Sequence, residues 1–408
     1  MKKPEILAPA GNLEKLKTAI DFGADAVYLG GSKLNLRAFA DNFGNEELKE
    51  GIAYAHERGK KVYVTLNVFP HNEDLEGLEE YLIELYELGV DAAIVSDPGI
   101  IMTAREVVPE LELHLSTQAN NVNYKSAIFW HRQGVKRIVL ARELSLTQIK
   151  EIRERLPEEC ELETFIHGSM CMSYSGRCLL SNYMTGRDAN RGQCAQPCRY
   201  KYYLMEEKRP GEYFPVIEDD KGTYIMNSKD LCMIEYIPEL VNSGIVSLKI
   251  EGRMKSSFYV AAIVKAYREA LDSYWADPEN YKFNPKWLSD LKKVSHRSYH
   301  TGFYFGEAKQ IFETSSYIRD YDIVGIVKEY DAEKGIALIE QRNRVFEGDE
   351  VEVLRPIGEP LKINLNNMKA VDGNKIEVAP SAQMLFTIET TVALREKDMI
   401  IKGKENKQ

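Results

Sequence analysis

The chain has 408 residues, 44% of them hydrophobic, and a formal net charge of −10, enough length to bury one large core and carry a smaller second domain. The acidic balance excludes a protein that coats nucleic acid by bulk electrostatics, so any nucleic-acid contact has to be local. No run of about 18 apolar residues occurs, and the opening MKKPEILAPAG has no apolar signal core, which predicts no membrane association and a cytoplasmic location.

From the N-terminus, short β-branched runs alternate with amphipathic stretches: ILAPA, NLEKLKTAIDFG, DAVYLGG, NEELKEGIAYAHERG, KVYVTLNVFP. This is the rhythm of βα units. It continues through DAAIVSDPG, LELHLSTQAN, RIVLAREL, LETFIHGS and VSLKIEGR, giving eight strands by Arg253. The count predicts a TIM-type (β/α)8 barrel over residues 1–272, with a doubly wound open sheet as the alternative. No GxGxxG opens a helix after a strand, which weakens the dinucleotide reading. A cysteine-bearing insertion, about residues 165–232, interrupts the pattern after LETFIHGS. Residues 273–320 read as a helical connector. From residue 321 to 403 the runs IVGIVKEY, IALIEQ, DEVEVLRP, PLKINL, KIEVA and MLFTIE, separated by turn residues, predict a small antiparallel β-barrel. The tail, 404–408, is expected to be disordered.

In a TIM-type barrel the chemistry collects at the C-terminal ends of the strands. Polar residues recur there: Asn67, Ser96, Asp97, Gln118, Asn120, Arg142, His167, Glu251 and Arg253. Five of the six cysteines fall between Cys171 and Cys232, in the order Cys171, Cys178, Cys194, Cys198, Cys232. Such crowding in a reducing compartment points to metal rather than to disulfides. Structural zinc favours pairs of tight knuckles, and only Cys194 and Cys198 approach one. Iron–sulfur clusters need four thiolates at freer spacing and suit this pattern better than zinc or inert buried thiols. Arg177, Arg187, Arg191, Arg199 and Lys201 make the segment locally basic, fit to stabilise a negative cluster or hold an anion.

The stretch FIHGSMCMSYSGRCLLSNYMTGRDANRGQCAQPCRY, residues 165–200, resembles the signature of the collagenase-like peptidase U-32 family. LAPAGN, YLGG with NLRAFADNFG, STQAN and LKIEGRMK extend the resemblance over essentially the whole chain. The better-understood branches of that family are oxygen-independent hydroxylases that use a cluster, with prephenate as the hydroxyl source. This chain looks most like the branch that converts the wobble uridine of tRNA to 5-hydroxyuridine. The resemblance implies a [4Fe-4S] cluster on Cys171, Cys178, Cys194 and Cys232, with Cys198 the competitor for the last place and Cys160 structural. It implies the tRNA anticodon loop as partner, and leaves room for a paralogous family member or an electron donor. If all four ligands are thiolates, no iron site stays open for substrate, which favours an electron-transfer or structural role.

Prephenate carries two carboxylates, which guanidinium groups grip by paired hydrogen bonds. Candidate substrate-binding residues are Arg37, Asn42, Gln118, Asn120, Arg142, Arg187, Asn190 and Arg191; candidate catalytic residues are His167, Glu251 and Arg253. His167 is the expected acid or base. Tyr174, Tyr183, Tyr200 and Tyr202 are candidates for stacking on unpaired bases. Three readings compete with wobble-uridine hydroxylation: hydroxylation of a ribosomal RNA cytidine or a quinone precursor, peptide cleavage as the family name implies, and a scaffold with a structural cluster. Peptide cleavage lacks an HExxH, a GxSxG or a Cys/His pair free of the metal motif.

Overall fold

A computed structural model describes residues 2–34, 42–170, 178–187, 189, 192–199, 203–204, 207–211, 214–215, 227–306, 310–311 and 317–404. The candidates Arg37, Cys171, Asn190 and Arg191, the tyrosines 174, 200 and 202, and all but the first residue of the tail lie outside the described residues.

Eight parallel strands close into a barrel. They are β1 (Glu5–Pro9), β2 (Ala26–Gly30), β3 (Lys61–Leu66), β4 (Ala92–Val95), β5 (Glu112–Leu115), β6 (Arg137–Val139), β7 (Glu161–Ser169) and, after the insertion, β9 (Ser247–Ile250). Each pairs with the next, and β9 pairs with both β7 and β1 to shut the ring. The predicted eight-stranded barrel is therefore the fold, and the open-sheet alternative is not. A further strand of this sheet system, β8 (Asp230–Cys232), lies antiparallel on β7 and carries β10 (Tyr299–His300) on its far side.

The helices α1 (Leu13–Asp21), α2 (Asn45–His56), α3 (Leu78–Glu87), α4 (Pro98–Val107), α5 (Tyr124–Arg132) and α6 (Leu146–Glu154) follow successive strands. Asn12, Asp97, Asn123 and Ser145 start four of them by accepting a first-turn N–H, which satisfies donors the helix leaves open. In the insertion, α7 (Leu180–Thr185) packs near a one-turn helix at Pro197–Arg199. After it come the short α8 (Ile237–Val241) and the long α9 (Ser257–Ala276), which lies across α1 and β1, with α10 (Pro285–Lys292) against it. The helices and the outer strand faces share one large apolar core.

Inside the barrel, two chemistries divide the circumference. The β1–β4 side is filled by Leu7, Ala26, Tyr28, Tyr63, Ala92 and Ile94. The β5–β9 side holds His114, Arg137, Glu163 and Lys249, each no more than 4% exposed. Charges this deep survive only when paired, and they are: Lys249 Nζ stands 2.8 Å from Glu163, Arg137 reaches Glu163 at 3.4 Å and Glu161 at 2.7 Å, and it also contacts Glu5. Burial alone would raise the Glu163 carboxyl, but Lys249 and Arg137 hold it below its ordinary range.

The C-terminal unit is a curled antiparallel sheet of seven strands, ordered Leu361–Asn364, Glu350–Leu354, Met399–Gly403, Tyr321–Asp331, Ile336–Gln341, Leu385–Glu389, Asn366–Ala370. It encloses its own core around Val327, Ile339, Val353, Phe386 and Ile400. Leu354, Met399 and Ile401 join the barrel's core instead, and Lys265 of α9 donates to the Arg355 carbonyl at 2.7 Å. No helix among the described residues is long and apolar enough to cross a membrane.

Candidate active site

The mouth of the barrel holds a pocket of about 100 Å³ whose walls are the C-terminal ends of the strands. Arg253 and Glu251 come from the turn after β9, Arg142 from the turn after β6, Gln118 from that after β5, and Thr65 and Asn67 from β3 and its end. Lys249 and Phe165 rise from inside the barrel to the floor, beside Tyr28.

Packing fixes the turn after β9. Gly168 has a φ of +109°, and a Cβ there would stand 2.5 Å from the Glu251 carbonyl. Only glycine permits that approach and that backbone together. Tyr28 Oη shares its one proton between the Ile250 carbonyl and Glu251 Oε2, each at 3.0 Å, and Tyr259 Oη holds the Glu251 carbonyl at 3.0 Å. Arg253, 4% exposed, donates to Thr65 Oγ1 at 3.1 Å. Arg142 lies 3.9 Å over the Phe165 ring and donates to the Ser169 carbonyl at 2.7 Å. Among the described residues its Nε, Asn67 Oδ1 and Gln118 Oε1 are buried without partners. Three cations, Lys249, Arg142 and Arg253, thus face one carboxylate, Glu251, in a half-closed pocket. Such a place attracts a small anion, since low-dielectric walls strengthen each attraction.

Of the candidates named from sequence, Arg142, Gln118, Glu251 and Arg253 meet in this pocket. Asn120 is adjacent, in a left-handed turn with φ +51°. Asn42 follows β2 and, among the described residues, its buried Oδ1 has no partner. Arg187 is elsewhere, exposed on the insertion and donating to the Gln193 carbonyl at 3.1 Å. His167 does not reach the mouth either. A register shift pairs Phe165 with Lys249 but His167 with Ile250, and this bulge turns the imidazole outward onto Tyr259, Tyr267 and Tyr299, with ring centroids 5.2 to 6.1 Å away. Sequence reasoning missed Lys249, Tyr28, Thr65 and Phe165. Alternation puts such residues on one face of their strands but does not say whether that face lines the barrel.

Burial lowers the His167 pKa to about 3, helped by His296 and Lys255. The ring is neutral at pH 7, while its unfolded counterpart takes a proton below about 6.5. The unfolded state therefore binds more protons between those values, and stability falls as pH drops through that window by about 1.4 kcal/mol per pH unit. Burial lowers His114 in the same direction. Urea unfolding of wild type and His167→Phe from pH 7 to 5 is expected to give a shallower slope for the variant.

The thiols divide into two groups. Cys178, Cys194 and Cys198 are partly exposed on the insertion. Cys194 Sγ accepts the Gln196 N–H at 3.4 Å, the kind of contact a cluster-bound thiolate takes. Cys232 instead belongs to the apolar core, 7% exposed, with Tyr267 Oη 3.9 Å from its sulfur; burial pushes its thiol up to about 12. Burial likewise pushes Cys160 up to about 11. Among the described residues no three His, Cys, Asp or Glu side chains converge on a metal-sized site; Cys171 is outside them.

The sequence profile of Peptidase family U32 matches residues 11–314, and that of the Peptidase family U32 C-terminal domain matches 319–400. The chain belongs to peptidase family U32. Among U32 relatives, tRNA hydroxylation protein P1 of Bacillus subtilis is 45% identical, with 99% of this chain and 96% of that protein covered. The tRNA hydroxylation protein P of Escherichia coli is 38% identical over 93% of this chain and 92% of its own. The 23S rRNA 5-hydroxycytidine C2501 synthase of Escherichia coli is 39% identical, but the match spans 66% of this U32 chain and only 39% of that one.

Proposed function

We propose that this U32 chain is a tRNA hydroxylase that installs a hydroxyl at carbon 5 of the wobble uridine without molecular oxygen, taking it from prephenate. The cationic mouth pocket carries the reading: Arg142 and Arg253 are placed to receive carboxylates, in a family whose near full-length relatives are named for tRNA hydroxylation. Asn67 and Gln118 offer amide oxygens, unpaired among the described residues, to hydroxyl or N–H donors of a bound ligand. Glu251, fixed by Tyr28, is placed to accept a proton at the pocket wall. A [4Fe-4S] cluster on the insertion thiolates would supply one-electron chemistry. Its ligands would be Cys171, Cys178, Cys194 and Cys232, with Cys198 the competitor for the last place; Cys232, 7% exposed, lines a second cavity with Tyr236 and Tyr299. His167, neutral and turned outward, serves packing in this reading rather than proton transfer.

Peptide cleavage finds less support. Ser116, Thr65 and Thr117, the aliphatic hydroxyls at the mouth, bond Asn67, Arg253 and the Leu140 carbonyl, and among the described residues no histidine lines the pocket to activate any of them. Nucleoside mass spectrometry of tRNA from a deletion strain tests the proposal. Loss of 5-hydroxyuridine-derived nucleosides, restored by the wild-type gene, is the expected outcome; unchanged levels in a strain without a paralogue would sink it. Arg253→Lys keeps the charge but loses the planar fork. A charge-assisted hydrogen bond contributes about 1.5–3 kcal/mol, so product formation should fall about 10- to 100-fold.

A further inference from the structure

Lys249 is a cation in the wrong place for a structural ion pair alone. Its strand closes the barrel between β7 and β1, and its side chain enters the barrel, 4% exposed, yet it still borders the mouth pocket. Among the described residues its hydrogen bond goes down, to Glu163 Oε1 at 2.8 Å. Sideways it meets the faces of Tyr28 and Phe165, 4.5 and 5.6 Å from their centroids. An ammonium has three N–H donors, so Glu163 leaves two for the aromatic faces and the pocket above. Below, Glu163 is held by Arg137, and Arg137 by Glu161 and Glu5. This column of alternating charge runs from the closed end of the barrel to the floor of the pocket and keeps the ammonium from moving. Preorganised charge of this kind binds an anion without a reorganisation cost.

From this geometry we infer that Lys249 receives a carboxylate of the small anionic co-substrate at the floor of the pocket, with Glu163 as its positioning residue. The inference rests on the mouth pocket being the co-substrate site. The pocket is open at its mouth and has Lys249, Tyr28 and Phe165 in its floor. A carboxylate arm that enters it meets Lys249 with Arg142 and Arg253 around it, and the rest of the co-substrate extends toward the rim, where the nucleotide and the insertion can reach it.

Calorimetric titration of the anaerobically purified full chain with prephenate, and separately with malonate as a plain small dicarboxylate, tests this. The double variant Lys249→Met/Glu163→Gln removes both charges, so neither is stranded. Lys249→Gln, which keeps a donor for Glu163, is titrated beside it. With near-UV circular dichroism and iron content unchanged, both should bind at least about tenfold more weakly, the loss of one charge-assisted contact. Wild-type affinity in either folded variant would overturn the assignment, as would a wild-type protein that binds neither probe. Wild type that binds malonate, lost in the variants, but not prephenate would keep Lys249 as the carboxylate site and sink the prephenate reading. Prephenate binding untouched by the variants would do the reverse.

Discussion

Anaerobically purified Cys178→Ser, Cys194→Ser and Cys232→Ala proteins are expected to hold less than about a tenth of wild-type iron, whereas Cys198→Ser is expected to hold all of it. Cluster assembly needs four thiolates, and losing one usually forfeits the cluster. Cys198 and Cys232 compete for the fourth place. Cys232 ends β8, whose backbone pairs with β7 at Asp230–Ser169 and Cys232–His167, so it lies beside the root of the insertion, and its side chain, 7% exposed, lines a second cavity with Tyr236 and Tyr299. Cys198 sits on the one-turn helix that packs near α7, four residues from Cys194. Iron and sulfide assays with the absorbance near 400 nm read the outcome. A folded, iron-replete Cys232→Ala protein alongside an iron-free Cys198→Ser would give the fourth place to Cys198.

The same contrast explains what the sequence could and could not reveal. Eight strands were legible because each βα unit announces itself by a short apolar run and a capped helix, as with Asn12 before α1 and Ser145 before α6. Residues at strand ends, such as Gln118, Glu251 and Arg253, were legible because the barrel puts all such ends on one face. Glu163 and Lys249 were not, since a charge inside a strand flanked by apolar residues gives no sign of whether it points into a barrel or out to water. His167 was misplaced because a one-residue bulge reverses the facing of the residues beyond it, and periodicity cannot register a bulge. In the C-terminal unit, Asn366–Ala370 reads as polar turn sequence, yet it forms an edge strand on Leu385–Glu389. An edge strand needs few apolar residues, so pattern alone passes over it.

Arg137→Met should be the most destabilising single change in the barrel. The guanidinium is 4% exposed and joins Glu5, Glu161 and Glu163; removing it leaves three carboxylates facing one another with Lys249 as the nearby counter-charge. Breaking one partner of a buried ionic group costs about 3–5 kcal/mol, which for a domain of this size lowers Tm by about 6–20 °C. The pH dependence separates this cause from a packing defect. In the wild type, Glu163 is held below its ordinary range, so its contribution is present above the unfolded carboxyl pKa of about 4.3 and disappears as pH falls through the lower folded value. Without Arg137 the glutamate carboxyls rise instead, and protonation relieves the repulsion. The stability gap between variant and wild type should therefore narrow from pH 7 to pH 5, measured by urea unfolding at each pH. A gap that stays constant would assign the loss to the missing side-chain volume. Adding Glu163→Gln would strand Lys249 in turn, so the triple variant Arg137→Met/Glu163→Gln/Lys249→Met should recover more stability than the double. That order follows only if the column acts as one electrostatic unit beneath the pocket.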